Sequence, residues 1–201
     1  DRELYVAGGL ACSYRVLKIS NPKLATECLE TAKALYNTSF EKSKRAESKI
    51  TVLVELALAT NDLTYFNQIA SLNGEVLKNF ENLGWRVGRI KHLIKDKSFL
   101  EKLNAEAQKW SAKTKNNSLT DSPYGVPYKP NIWGAGWTLQ DFGVQQYYFS
   151  KSWPEFANYE VYSNALNFIL GVHPGNNTAS FASAIGSNSL LVAYGMNRAD
   201  W

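Results

Sequence analysis

The densest chemistry in the chain lies in YGVPYKPNIWGAGW, residues 124 to 137, where Tyr124, Tyr128, Trp133 and Trp137 stand among three glycines and two prolines. Flat indole and phenol faces beside the amide of Asn131 and the carboxylate of Asp141 suit a sugar: its C–H groups stack on the rings while its hydroxyls bond to amides and carboxylates. Trp133 and Trp137 are four residues apart, which on a helix puts them on one face, and Asp141 continues the row. Pro123, Pro127 and Pro130 bias the residues before them toward extended conformations, so the approach to that helix is stiff. The same rings could equally be core anchors, because aromatics bury large areas whatever their role. Composition alone leaves both readings open.

Cutting a glycosidic bond calls for two carboxylates facing each other across the substrate. Asp1 and Glu3 stand together at the chain start, while Asp121, Asp141, Glu160 and Asp200 are isolated. These read as caps, surface charges or binding groups, so no residue is assigned a catalytic role. His92 and His173 are the only histidines, and neither has a second ligand at metal spacing, so no metal site is expected. No Ser-His-Asp or Cys-His arrangement is signalled by a local motif. GVHPGNN, residues 171 to 177, lacks the strand-then-helix context of a phosphate loop, and no cofactor is expected.

The 22 basic and 18 acidic residues are scattered, for a net charge of +4, and form no basic stripe. Nucleic acid is therefore not an expected partner. No apolar run approaches the ~18 residues of a membrane span. Cys12 and Cys28 fall in consecutive helices, where a disulfide is geometrically possible; two buried free thiols are preferred, since cysteine packs well as a small apolar residue. Asn37, Asn116 and Asn176 open Asn-x-Ser/Thr acceptor sites.

The elements that must position these groups read as helices. Residues 4 to 12 are small and apolar almost all round, which predicts a helix buried on several sides. Asn21 as cap with Pro22 at the first helical position opens an amphipathic helix to about Tyr36, lying outside the first. The pattern repeats: residues 47 to 60 are nearly continuously apolar, and Asn61-Asp62 breaks them before a polar-faced helix near Leu63. Ser98 with Glu101 predicts a helix over 98 to 115, and Ser152 with Glu155 another over 153 to 170. Between them an aromatic helix runs from Trp133 to about Ser150. Alternating buried and half-buried helices, with almost no strand pattern, predict an all-α fold, an inner ring of helices wrapped by an outer ring. Residues 171 to 189 form a long polar loop, and the chain reads as a single domain over 1 to 201.

Three stretches carry a family resemblance. ALNFILGVHPGNNTASFASAIG, with Leu170-Gly171-Val172-His173-Pro174 and then Ser180-Phe181, resembles a turn near the end of the catalytic domain of glycoside hydrolase family 9, the cellulase and endoglucanase family. VELALATNDLTYF is similar to the family's Thr-Gly-Asp helix end, with Asn61 where glycine is usual, and residues 4 to 36 look like one of its inner and outer helix pairs. The resemblance implies an (α/α)6 barrel, a six-hairpin glycosidase, that hydrolyses β-linked glucan or a related polysaccharide with inversion and works outside the cytoplasm. It implies a substrate cleft at the N-terminal ends of the inner helices. Tyr124, Tyr128, Asn131, Trp133, Trp137 and Asp141 would then contribute sugar-binding subsites to an oligo- or polysaccharide. The family's Asp-x-x-Asp pair is absent, as is its His-His-Arg motif, for which Arg198 is the one stand-in. The chain is accordingly expected to be the C-terminal portion of such a barrel, missing N- and C-terminal parts of a parent chain and inactive alone. Two further readings are a non-catalytic carbohydrate-binding toroid and a polysaccharide lyase-type toroid, the latter resting on Tyr128 and Arg198.

Overall fold

The structure is a computed structural model that describes residues 1–128, 135–172, 174, 176, 178–182 and 184–189. The described residues are all-α apart from one pair of two-residue parallel strands. The chain divides into two compact units, Asp1–Trp110 with Lys151–Trp153, and Ser111–Ser150 with Pro154–Trp201.

In the first unit, α1 (Arg2–Leu17) and α2 (Pro22–Ser39) form a hairpin. Asn21 opens α2 as its sequence indicates: Asn21 Oδ1 accepts the Leu24 N–H at 3.2 Å, and Pro22 occupies the first turn, where a missing N–H costs nothing. α3 (Ala46–Thr60) packs on the other side of α1, so α1 lies between α2 and α3. α3 is buried on nearly every side through Ile50, Val52, Leu53, Val54, Leu56 and Ala57. That is what an apolar helix without a polar face requires. α1 departs from the same expectation. Leu4, Ala7, Gly8 and Ala11 are buried, but Val6 and Val16 stay exposed, because the two neighbouring helices cover only two of its sides.

Gly8 lies where α1 runs beside α3. A Cβ added at Gly8 would meet Thr51 Cγ2 at 3.4 Å, with Val52 and Glu55 just beyond. At this close contact Glu55, on the most buried helix, is clamped by two guanidinium groups, Arg15 from α1 and Arg89. The second nitrogen of Arg89 adds a 3.5 Å contact to the other carboxylate oxygen.

α3 ends where Asn61 takes the left-handed conformation, φ 56° and ψ 22°, a geometry open to glycine and, among side-chain-bearing residues, most readily to asparagine. Asp62 then caps α4 (Leu63–Ser71) by accepting the Thr64 N–H at 2.8 Å. That hydrogen bond holds the Asp62 carboxyl below its ordinary range. Two short helices follow, α5 (Asn73–Lys78) and α6 (Phe80–Gly88), and then α7 (Lys97–Thr120). α7 is longer than expected, and its cap is not Ser98: Asp96 Oδ1, two residues earlier, accepts the Phe99 N–H at 3.0 Å. His92 lies exposed in a 3-10 turn, Lys91–Leu93, and not on a helix face, because the helical run ends at Gly88. Cys12 and Cys28 are free as preferred, but half-buried, since the solvent side of the hairpin leaves them partly open.

The largest anchor in this unit is Trp153, fully buried. Its Nε1 donates to Asn104 Oδ1 at 2.7 Å, its ring centroid is 5.6 Å from that of Phe80, and Lys91 Nζ sits 4.9 Å above its face. Gly88 makes room for it, since a Cβ there would fall 2.5 Å from the indole. Trp153→Ala should lower the unfolding free energy by about 3 to 5 kcal/mol, the usual range for truncating a buried aromatic residue. Urea denaturation checks this, and Gly88→Ala should destabilise as well, by overpacking of roughly 1 to 3 kcal/mol.

Candidate functional site

The second unit holds the rest of α7, then α8 (Ala135–Ser152) as far as Ser150, and α9 (Tyr159–Leu170). α9 starts later than its sequence suggests. Ser152 closes α8, Pro154–Phe156 is a 3-10 turn, and the cap is Asn158, whose Oδ1 accepts the Val161 N–H at 3.4 Å. Pro154 follows Trp153 directly, and the residue before a proline is turned away from helix.

The aromatic segment after α7 is fixed to α9. Gly125 adopts φ +67°, and its carbonyl accepts from Asn164 Nδ2 at 3.3 Å; a Cβ at Gly125 would fall 2.4 Å from that nitrogen. Ser122 Oγ donates to the Val126 carbonyl at 2.9 Å and closes the turn. These constraints deliver Val126 and Tyr128 into a core with Leu139, Ala165 and Phe168. Tyr128 is only 9% exposed. Tyr124 is half-buried and meets Phe168 edge-on, with ring centroids 4.8 Å apart. Both tyrosine rings therefore pack as anchors. Asn131, Trp133 and Arg198 lie outside the described residues.

Trp137 is placed differently. It is the third residue of α8 and 80% exposed. Asp141, one turn along, is also exposed, and its Oδ2 accepts from Gln145 Nε2 at 2.8 Å. The spacing of four residues at each step keeps all three on one helix face. An exposed indole is thus followed along the helix by a carboxylate and an amide with unused hydrogen-bonding capacity.

A second ring stands close by. α9 ends at Gly171 in the left-handed conformation, φ 84°, where a Cβ would fall 2.5 Å from the Thr178 carbonyl. The chain then returns through β1 (Ala179–Ser180), paired in parallel with β2 (Asn188–Ser189). The Phe181 N–H donates to the Ile169 carbonyl at 2.9 Å, and Ser180 Oγ donates to the same oxygen at 3.2 Å. Phe181 stacks on Phe168 at 5.2 Å and lies 3.2 Å from the Cβ position of Gly136, the residue before Trp137. Its ring is half-exposed. Sequence reading did not place Phe181 in the site, although Ser180-Phe181 belongs to the stretch that carries the family resemblance.

A cleft of about 410 Å³ runs between α8 and α9. Gln140, Val144, Tyr147 and Tyr148 line one wall, Tyr162, Leu166 and Ile169 the other, and the helices meet at its floor where Gly143 faces Ala165. Tyr147 touches both other phenol rings, at 5.3 Å from Tyr148 and 6.2 Å from Tyr162. Among the described residues no carboxylate lines this cleft. Among the described residues no group of histidine, cysteine, aspartate and glutamate is arranged to hold a metal, and no helix is long and apolar enough to cross a membrane.

No protein-family model, curated protein or solved structure matches the chain. What its surface can do is therefore argued from the groups on it. Trp137→Ala should leave stability within about 0.5 kcal/mol of the parent, as for an exposed side chain. Tyr128→Ala should cost about 3 to 5 kcal/mol as a buried anchor. Paired thermal melts distinguish the two roles.

Proposed function

We propose that the chain binds a β-linked polysaccharide at the start of α8 and supplies aromatic subsites to an (α/α)6 glycoside hydrolase of the kind its motifs resemble. The observation that carries the reading is Trp137, an indole left 80% exposed near the N-terminus of a helix. Burial of an indole is strongly favourable, so a ring held in water next to hydrogen-bonding side chains is suited to stacking on a ligand. Asp141 and Gln145 offer acceptors and donors to hydroxyls, and the half-exposed Phe181 adds a second ring surface.

The layering of the first unit supports the barrel part of the reading. α3 is buried all round as an inner helix would be, while α2 keeps a polar outer face and packs on α1 with little contact to α3. The polysaccharide would be met outside the cytoplasm, where such chains occur. A non-catalytic carbohydrate-binding toroid uses the same surface. The lyase-type reading loses one of its two supports, because Tyr128 is packed in the core.

Isothermal titration with cellohexaose tests the proposal. The parent chain should bind, Trp137→Ala should weaken binding about tenfold or more, a loss of roughly 1.4 kcal/mol or above, and folding should be unchanged. Incubation with soluble β-glucan should release no reducing sugar. Absence of binding, or equal binding by Trp137→Ala, removes the platform; sustained hydrolysis would show that the chain carries its own acid and base.

A further inference from the structure

We propose that Asp141 makes the α8 site select neutral glycans against anionic ones, an inference that rests on Trp137 being the stacking platform. Positions 137 and 141 are one helical turn apart, which places their Cβ atoms about 5 to 6 Å from each other. A sugar ring lying on the indole therefore presents its substituents to the Asp141 carboxylate.

Among the described residues no cation pairs with that carboxylate. Its described contact is the neutral amide of Gln145. From Ala135 to Ser150 α8 carries no lysine or arginine; Lys151 is the first, ten residues beyond Asp141 and about 15 Å along the axis. The α9 residues nearest this helix, among them Tyr162, Ala165 and Leu166, are uncharged. A hydroxyl arriving here finds an acceptor oxygen. A uronate arriving here finds a like charge.

Two unit charges about 6 Å apart under water-like screening repel by enough to lower affinity roughly threefold, and more where the indole displaces solvent. The separation is shorter than the ~8 Å screening length at physiological salt, so part of the effect survives there. The expected discrimination in dilute buffer is about three- to tenfold.

The test titrates the full chain and its Asp141→Asn variant with cellohexaose and with a hexameric oligogalacturonate, at low and at high salt. The parent should prefer the neutral hexamer, and the gap should shrink both in high salt and in D141N, through stronger uronate binding by the variant. Equal or tighter uronate binding by the parent overturns the selectivity, as does a preference that D141N leaves unchanged. In either case cellohexaose binding that still depends on Trp137 keeps the platform standing. Failure of both hexamers to bind removes the platform and this inference together. D141N is a surface change, so its melting temperature should match the parent and separate lost affinity from lost fold.

Discussion

A carboxylate on the most buried helix fixes the first unit. Glu55 is 12% exposed, and a charge that far from water is destabilising unless it is paired and hydrogen-bonded. Arg15 reaches it from α1 and Arg89 from just beyond α6, so one side chain ties three parts of the chain to a single register. Rotating α1 by one residue would swing Arg15 about 100° away and leave the carboxylate short of a partner. Gly8 of α1 faces the same stretch of α3, where an added Cβ would meet Thr51 Cγ2 at 3.4 Å and Glu55 Cγ at 3.8 Å.

Glycines do the comparable work in the second unit. Gly125 turns the aromatic segment so that its carbonyl reaches Asn164, and Gly171 stops α9 so that the chain can fold back over it. Gly186, at φ +85°, comes close to the Leu170 carbonyl. Each adopts a conformation that side chains resist, and Tyr124 and Phe181 both pack on the single ring of Phe168, one edge-on and one stacked. The start of α8 at Gly136 thus rests beside Phe181, itself stacked on Phe168, while the Trp137 indole stays exposed.

Much of the helical layout was legible because its signals are local. Asn21 and Asp62 announce helix starts through the hydrogen bonds their side chains accept from backbone a few residues on, and Asn61 announces a helix end through its ease in the left-handed conformation. The alternation of apolar and amphipathic segments likewise predicted the burial of α3 and the polar face of α2, though not the exposed side of α1. Where two candidate caps compete, local rules fail: Asp96 and Ser98 are both good N-caps, and the burial of Phe99 settles the choice. The candidate site was legible only as a cluster of rings. Tyr128 and Trp137 look alike in a sequence pattern, yet one is anchored by Val126, Leu139 and Phe168 while the other is 80% exposed. That difference is tertiary. So is the position of Phe181, which depends on a loop returning across ten residues from the end of α9.

The uneven burial of the tryptophans also makes the chain optically self-reporting. Trp85, Trp110 and Trp153 are enclosed, while Trp137 stands in solvent. Shielded indoles emit to the blue and resist collisional quenchers; a hydrated one emits to the red and is quenched readily. The red edge of the intrinsic fluorescence therefore carries a contribution from the beginning of α8, and whatever settles on that surface alters the light without any label being attached.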